Sequence, residues 1–115
     1  MSQNLLLLLS PGFQRPDHPA DARFVCPQCN IIEGLLAAQP ALSEQLQIRR
    51  VDFPRPRAEV VALVGEENQG LPLLALAADS PRPDGVRYAG SQAFLQGADA
   101  IAAYLAQHYG AYRLS

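Results

Sequence analysis

The sequence contains no lysine: all nine of its basic residues are arginines. That absence excludes Schiff-base chemistry and every other reaction that needs an ε-amino nucleophile. Cysteine and histidine are nearly as scarce, at two of each. A structural zinc site takes four ligands. Beyond the cysteines only His18 and His108 are on offer, so even a site using His18 needs a carboxylate or water to complete it. There is no excess of positive charge either. The net charge of -2 argues against a nucleic-acid partner and against a polybasic membrane contact.

Long apolar runs are also missing. The run Leu5–Leu9 is far short of a membrane span, and no positive charge precedes it as a signal peptide requires. Ala20-Asp21-Ala22 imitates a cleavage site, but the segment before it is rich in proline and charge. These readings place the chain in the cytoplasm. There a lone pair of cysteines is more often redox-active or metal-binding than a structural staple. What remains is 115 residues, 49% hydrophobic and 17% charged. That composition reads as one globular domain over residues 1–115, long enough to bury a core.

The two cysteines lie together, in Cys26-Pro27-Gln28-Cys29. An apolar helical pattern follows at Ile31, Ile32, Leu35 and Leu36. Cys26 is therefore expected at a helix N-terminus, where free N–H groups and the helix dipole favour a thiolate. Pro27 suits the first turn. Cys29 falls one turn further in, within reach to close a disulfide. A redox pair is the leading reading. Two inert cysteines at a helix start, or a zinc site, remain the alternatives.

Taken in order, Asn4–Leu9 reads as a buried strand and residues 10–25 as a long loop expected to cover part of the cysteine site. Phe24 is expected to be buried against the sheet or first helix, with Phe13 the looser case. The first helix runs from Pro27 to Gln39, and a short helical piece spans Leu42–Leu46. Gln47–Phe53 reads as a strand, Pro54-Arg55-Pro56-Arg57 as a break, and Ala58–Gly65 as a helix. Leu71–Ala77 is an apolar strand, Asp79–Gly85 a loop, and Val86–Ala89 an edge strand forming a hairpin with it. Gly90-Ser91 opens a helical region that Gly97 divides, and the final helix runs from Ala98 to His108. The order is strand, helix, strand, helix, strand, strand, helix. It makes a mixed four-stranded α/β sheet.

This order, with the cysteine pair opening the first helix, resembles the thioredoxin fold. Gln69-Gly70-Leu71-Pro72-Leu73-Leu74 resembles the turn-into-strand of thioredoxin-like proteins, where a cis-proline faces the active cysteine. Ala100–Leu105 is similar to the last helix of the glutaredoxin-like half of glutathione transferases. The long loop, the cysteine pair and Asp52-Phe53-Pro54-Arg55-Pro56-Arg57 together resemble a bacterial thioredoxin-like family of unknown function.

The resemblance implies a thiol–disulfide oxidoreductase acting on a protein or small-molecule disulfide. Cys26 would attack, Cys29 would resolve, and Pro72 with the backbone of Leu71 would hold the substrate. A cis Leu71–Pro72 bond close to Cys26 is expected. Glutathione-binding relatives open the last helix with an acidic residue and a serine. Gly97-Ala98-Asp99 offers only Asp99, so glutathione is disfavoured and no cofactor is assigned. The helical domain of a transferase has no counterpart here. The alternative function is a non-catalytic binding module, with a homodimer left open.

Arg55 and Arg57 flank Pro56 in a loop that this fold can bring near the cysteines, and both are candidates for contacting an acidic substrate or glutathione, a solvated loop being the default. Arg23 and Arg55 are candidates for lending positive charge to Cys26. Arg49 and Arg50 point to opposite sides of a strand and form no patch. His108, Tyr104, Tyr109 and Tyr112 read as packing or helix-end residues.

Overall fold

Four consecutive leucines with almost no exposed surface, Leu6–Leu9, set the centre of the molecule. The computed structural model describes residues 3–115. A strand buried on both faces must sit inside a sheet, and β1 (Leu5–Leu9) does. It pairs in parallel with β2 (Gln47–Val51) and antiparallel with β3 (Leu73–Ala75). Beyond β3 come β5 (Gln92–Gln96) and then β4 (Arg87–Ala89) at the edge, so the order is β2-β1-β3-β5-β4.

Alternation along the strands splits the core into two layers. Leu6, Leu8, Leu74, Ala93 and Leu95 pack with α1 (Pro27–Ala38) and α4 (Ala98–Tyr109) on one face. The short α2 (Leu42–Gln45) adds Leu42 to that layer. Leu7, Leu73, Ala75 and Phe94 face α3 (Ala58–Val64), which contributes Val60 and Val64. Helix α4 stops at Gly110, whose left-handed φ of 69° lets Ala111 N donate to Leu105 O. Buried Asn4 ties the two ends of the chain together. Its Oδ1 accepts from Ala77 N and Ser80 Oγ, both at 2.7 Å, and its Nδ2 donates to Tyr109 Oη at 2.9 Å.

The sheet has five strands, where the sequence suggests four. The missing strand is β5, in the stretch read as the start of a helical region. Gly90, at φ 59°, turns the chain back on itself, and Gln92–Gln96 runs between β3 and β4. Ala93, Phe94 and Leu95 are buried on alternating faces, so no polar side interrupts the pattern that would distinguish strand from helix. The hairpin therefore joins β4 to β5, and β3 pairs with β5 instead of with the edge strand.

The loop over residues 10–25 also departs from expectation. It folds back on itself through an antiparallel bridge between Phe13 and Phe24. Phe13 packs against the core and stacks on Phe53, ring centroids 4.3 Å apart. Phe24 is only half-buried and rests on Phe13 and His18, not on the sheet or α1. No residue of 10–25 lines the cleft beside Cys26. The loop is braced on residues 52–54, and a second groove runs between them.

Phe53 is thus the anchor of the loop. Replacing Phe53 by alanine is expected to cost about 2–4 kcal/mol in urea denaturation. The Phe13→Ala, Phe53→Ala double variant should lose less than the sum of the two single variants. Strict additivity would show that the ring stack is not what holds the loop.

Candidate functional site

Helix α1 begins where the sequence places it, with Cys26 as N-cap and Pro27 in the first turn. Cys26 Sγ takes the capping role usually filled by an oxygen. It accepts a hydrogen bond from Cys29 N at 3.3 Å. An N–H aimed at the sulfur from a helix N-terminus stabilises negative charge there. Cys26 is half-buried and opens on a cleft of about 660 Å³.

Cys29 is placed quite differently. It is 2% exposed, and its Sγ accepts from Leu9 N at 3.4 Å, at the end of β1. Burial pushes its thiol up to about 12, against the lowering effect of the Leu9 N–H. Both cysteines are free thiols.

The opposite wall of the cleft is the segment entering β3. Leu71–Pro72 is a cis peptide, as expected, and Leu71 O lies 3.8 Å from Cys26 Sγ. Arg55–Pro56 is also cis, which the sequence reading does not anticipate. Pro72 O accepts from Gly97 N at 3.0 Å, joining this wall to the start of α4. Gln28, inside the cysteine motif, reaches the same place: its Oε1 accepts from Ala98 N at 3.0 Å. The residue between the cysteines thus caps another helix, a role no local sequence signal carries.

Of the sequence candidates, the fold brings Cys26, Leu71 and Arg55 to one cleft, with Pro72 buried next to Leu71. Asp99 is not brought there. It is exposed in the first turn of α4 and lines an adjoining groove that shares Gln28, Gln96 and Gly97 with the cleft. Arg23 donates to Gly12 O within the long loop and also stays outside the cleft. His18 meets Asp17 at 3.0 Å and Phe24 edge-on, and His108 packs on Tyr104. Among the described residues, no three His, Cys, Asp or Glu gather as a metal site would need. No helix there is long and apolar enough to cross a membrane.

One cleft arginine, Arg87, escapes the sequence reading of the site, and the burial of a second, Arg57, departs from the solvated loop expected there. Arg87, on the edge strand, lines the cleft and donates to Asn68 Oδ1 at 2.7 Å and to Gln96 Oε1. Arg57 is 6% exposed. Its guanidinium donates to Phe53 O and Gln69 O, and its own N–H donates to Gln69 Oε1 at 2.7 Å. The sequence signal for both was an arginine in or beside a loop, which is normally a solvated position.

The buried neutral Cys29 thiol gives a signed pH dependence. Because its folded value is raised, its contribution to stability is complete below the ordinary thiol range near ~8.5. It is lost as pH rises toward about 12. The denaturation midpoint of the reduced protein should therefore fall more steeply over that window than the midpoint of Cys29→Ala. Parallel curves would contradict the burial account of Cys29.

The comparisons with known proteins agree in extent with the structure. No curated protein and no solved structure gives a significant match. A family described as proteins of unknown function, DUF3088, matches residues 3–113, which take in every strand and helix described above. The chain belongs to the DUF3088 family.

Proposed function

We propose that the chain is a thioredoxin-like thiol–disulfide oxidoreductase that works through Cys26 and Cys29. The observation that carries this reading is the inequality of the two thiols. Cys26 sits on the cleft with a helix N–H on its sulfur. Cys29 is buried and kept neutral one turn behind it. A two-step exchange needs that division: a thiolate that meets the substrate, and a protected thiol that acts only after the first step. The β1–α1–β2 parallel unit, the antiparallel strands beyond it and the Leu71 carbonyl opposite the cysteine at the entry to β3 support the thioredoxin-like assignment.

The chemistry balances as follows. Cys26 thiolate attacks one sulfur of a substrate disulfide. A mixed disulfide forms, and the other substrate sulfur leaves as a thiolate that takes a proton from water. Cys29 then loses its proton and attacks Cys26 Sγ, which releases the second substrate thiol and leaves a Cys26–Cys29 disulfide. The substrate gains two electrons and the protein loses two, to be restored by an external dithiol. The substrate is a protein or small-molecule disulfide, and the cytoplasm is the compartment whose reducing pools suit this direction. The backbone of Leu71, with Pro72 buried next to it, forms the wall against which that substrate lies. Arg55 is the cleft residue available to an acidic group on it. Glutathione is not assigned as a cofactor, since Asp99 stands outside the cleft and Gln28 already occupies the first N–H of α4.

Trapping tests the division of roles. Mixed with a peptide disulfide, Cys29→Ser should accumulate a covalent adduct visible by intact mass, and Cys26→Ser should accumulate none. Equal adduct formation by both variants, or by neither, would reject the oxidoreductase and favour a non-catalytic binding module.

A further inference from the structure

Arg55 is not the only cation on the cleft beside Cys26. Arg87 lines it too, and Glu67 is the one carboxylate that does. Positive charge is therefore in excess there, in a chain whose net charge is -2. A cleft whose sign opposes that of the whole molecule gathers ligands of the other sign. Both guanidiniums also lack a carboxylate partner. The ion pairs among the described residues are Arg49–Glu59, Arg50–Glu33 and His18–Asp17, and neither Arg55 nor Arg87 is in one.

Arg87 is held by neutral groups. Its Nη2 donates to Asn68 Oδ1 at 2.7 Å and its Nη1 to Gln96 Oε1. The guanidinium stands 5.1 Å from the centre of the Phe94 ring. Gln96 Nε2 is fixed in turn, donating to Asn68 O at 3.0 Å and to Gly70 O at 3.1 Å. Gly70 precedes Leu71, whose carbonyl lies 3.8 Å from Cys26 Sγ. These contacts tie the guanidinium to the wall that Cys26 faces. They orient it, leave further N–H donors on it and do not neutralise it. Arg55 stands exposed in the loop after β2.

We propose that Arg55 and Arg87 form an anion subsite, and that the substrate is a polypeptide disulfide with acidic side chains beside its cysteine. The proposal rests on the oxidoreductase reading and adds to it the substrate class. The guanidinium fork matches a carboxylate in shape and charge. A polypeptide suits the surroundings better than a small disulfide does. Past Gln28 the cleft meets the adjoining groove, which Ile31 and Asp99 line. Val25 and Ile31 are 50% and 40% exposed, so apolar surface continues from the cysteine motif. An extended chain covers this surface and reaches the arginines as well. Asp99 puts a carboxylate on the groove, which confines the positive excess to the cleft itself.

The test is the rate at which peptide disulfides oxidise the reduced protein, read by quenching with a thiol alkylator and weighing the intact chain. Each exchange leaves a Cys26–Cys29 disulfide and releases the peptide cysteines as thiols. The peptides carry glutamates before the cysteine, glutamates after it, or glutamines in the same places. At about 0.1 M salt at least one glutamate peptide should react about fivefold faster than its glutamine counterpart, the size of an exposed ion pair. The advantage should vanish near 1 M salt, where the screening length falls to about 3 Å. Arg55→Gln and Arg87→Gln should each shrink it. A merely structural Arg87 would slow both peptides alike and leave their ratio unchanged. If Arg87→Gln fails to fold, Arg55→Glu decides, since it reverses a charge in an exposed loop and should abolish the advantage. Equal rates for glutamate and glutamine peptides, an advantage insensitive to salt, or one that survives these substitutions would overturn the proposal and leave the oxidoreductase reading standing. Oxidised glutathione outrunning every glutamate peptide would overturn the polypeptide assignment. A protein that no disulfide oxidises would overturn both readings.

Discussion

Strand β1 has nowhere to go but the middle. Its backbone must pair on both edges and its leucines must be covered on both faces, and the sheet and two helical layers answer that demand. The site follows from it. The carboxyl end of β1 presents Leu9 N–H to Cys29 Sγ, so the buried thiol is registered to an interior strand of the sheet. Once Cys29 is placed, helical geometry puts Cys26 one turn back at the surface, with a backbone N–H on its sulfur. The inequality of the two thiols is therefore a consequence of packing, and it does not need a dedicated catalytic side chain.

Around that pair the cleft is assembled from parts with two attachments each. Gln28 belongs to the cysteine motif and caps α4. Pro72 belongs to the wall opposite Cys26 and holds Gly97. Phe53 stacks on the long loop through Phe13 and accepts from Arg57 through its carbonyl. Arg57 in turn holds Gln69. The long loop thus touches the cleft indirectly, along the path Phe13, Phe53, Arg57, Gln69. Contiguity of this kind is a physical route for coupling, though coupling itself is measured and not read from contact.

Much of this was legible in the chain. The leucine run declared a central strand, and Cys-Pro-Gln-Cys before a helical pattern declared an N-terminal cysteine. Gly70-Leu71-Pro72 marked the opposite wall. The failures have separate causes. Ala93, Phe94 and Leu95 are apolar on both faces of β5, so periodicity does not distinguish strand from helix. Phe24 sits where an aromatic ought to be buried, but the loop supplies its own partners in Phe13 and His18. The place of Asp99 in the chain suggests a ligand contact, while the N–H of Ala98 beside it is already taken by Gln28 Oε1 and Asp99 itself lines the adjoining groove. Arg57 was hardest, because its burial depends on carbonyls from residues 53 and 69, and nothing local marks a loop arginine as interior.

The central claim is that Cys26 and Cys29 form one reversible redox couple. Equilibrating the protein across a series of reduced-to-oxidised glutathione ratios, quenching with a thiol alkylator and weighing the intact chain tests it directly. The account predicts two populations that interconvert with the ratio: a doubly alkylated dithiol and an unalkylated chain lighter by two hydrogens, with the glutathione adduct at Cys26 only transient. Two thiols that stay alkylatable at every ratio, or a stable glutathione adduct with no internal disulfide, would contradict it.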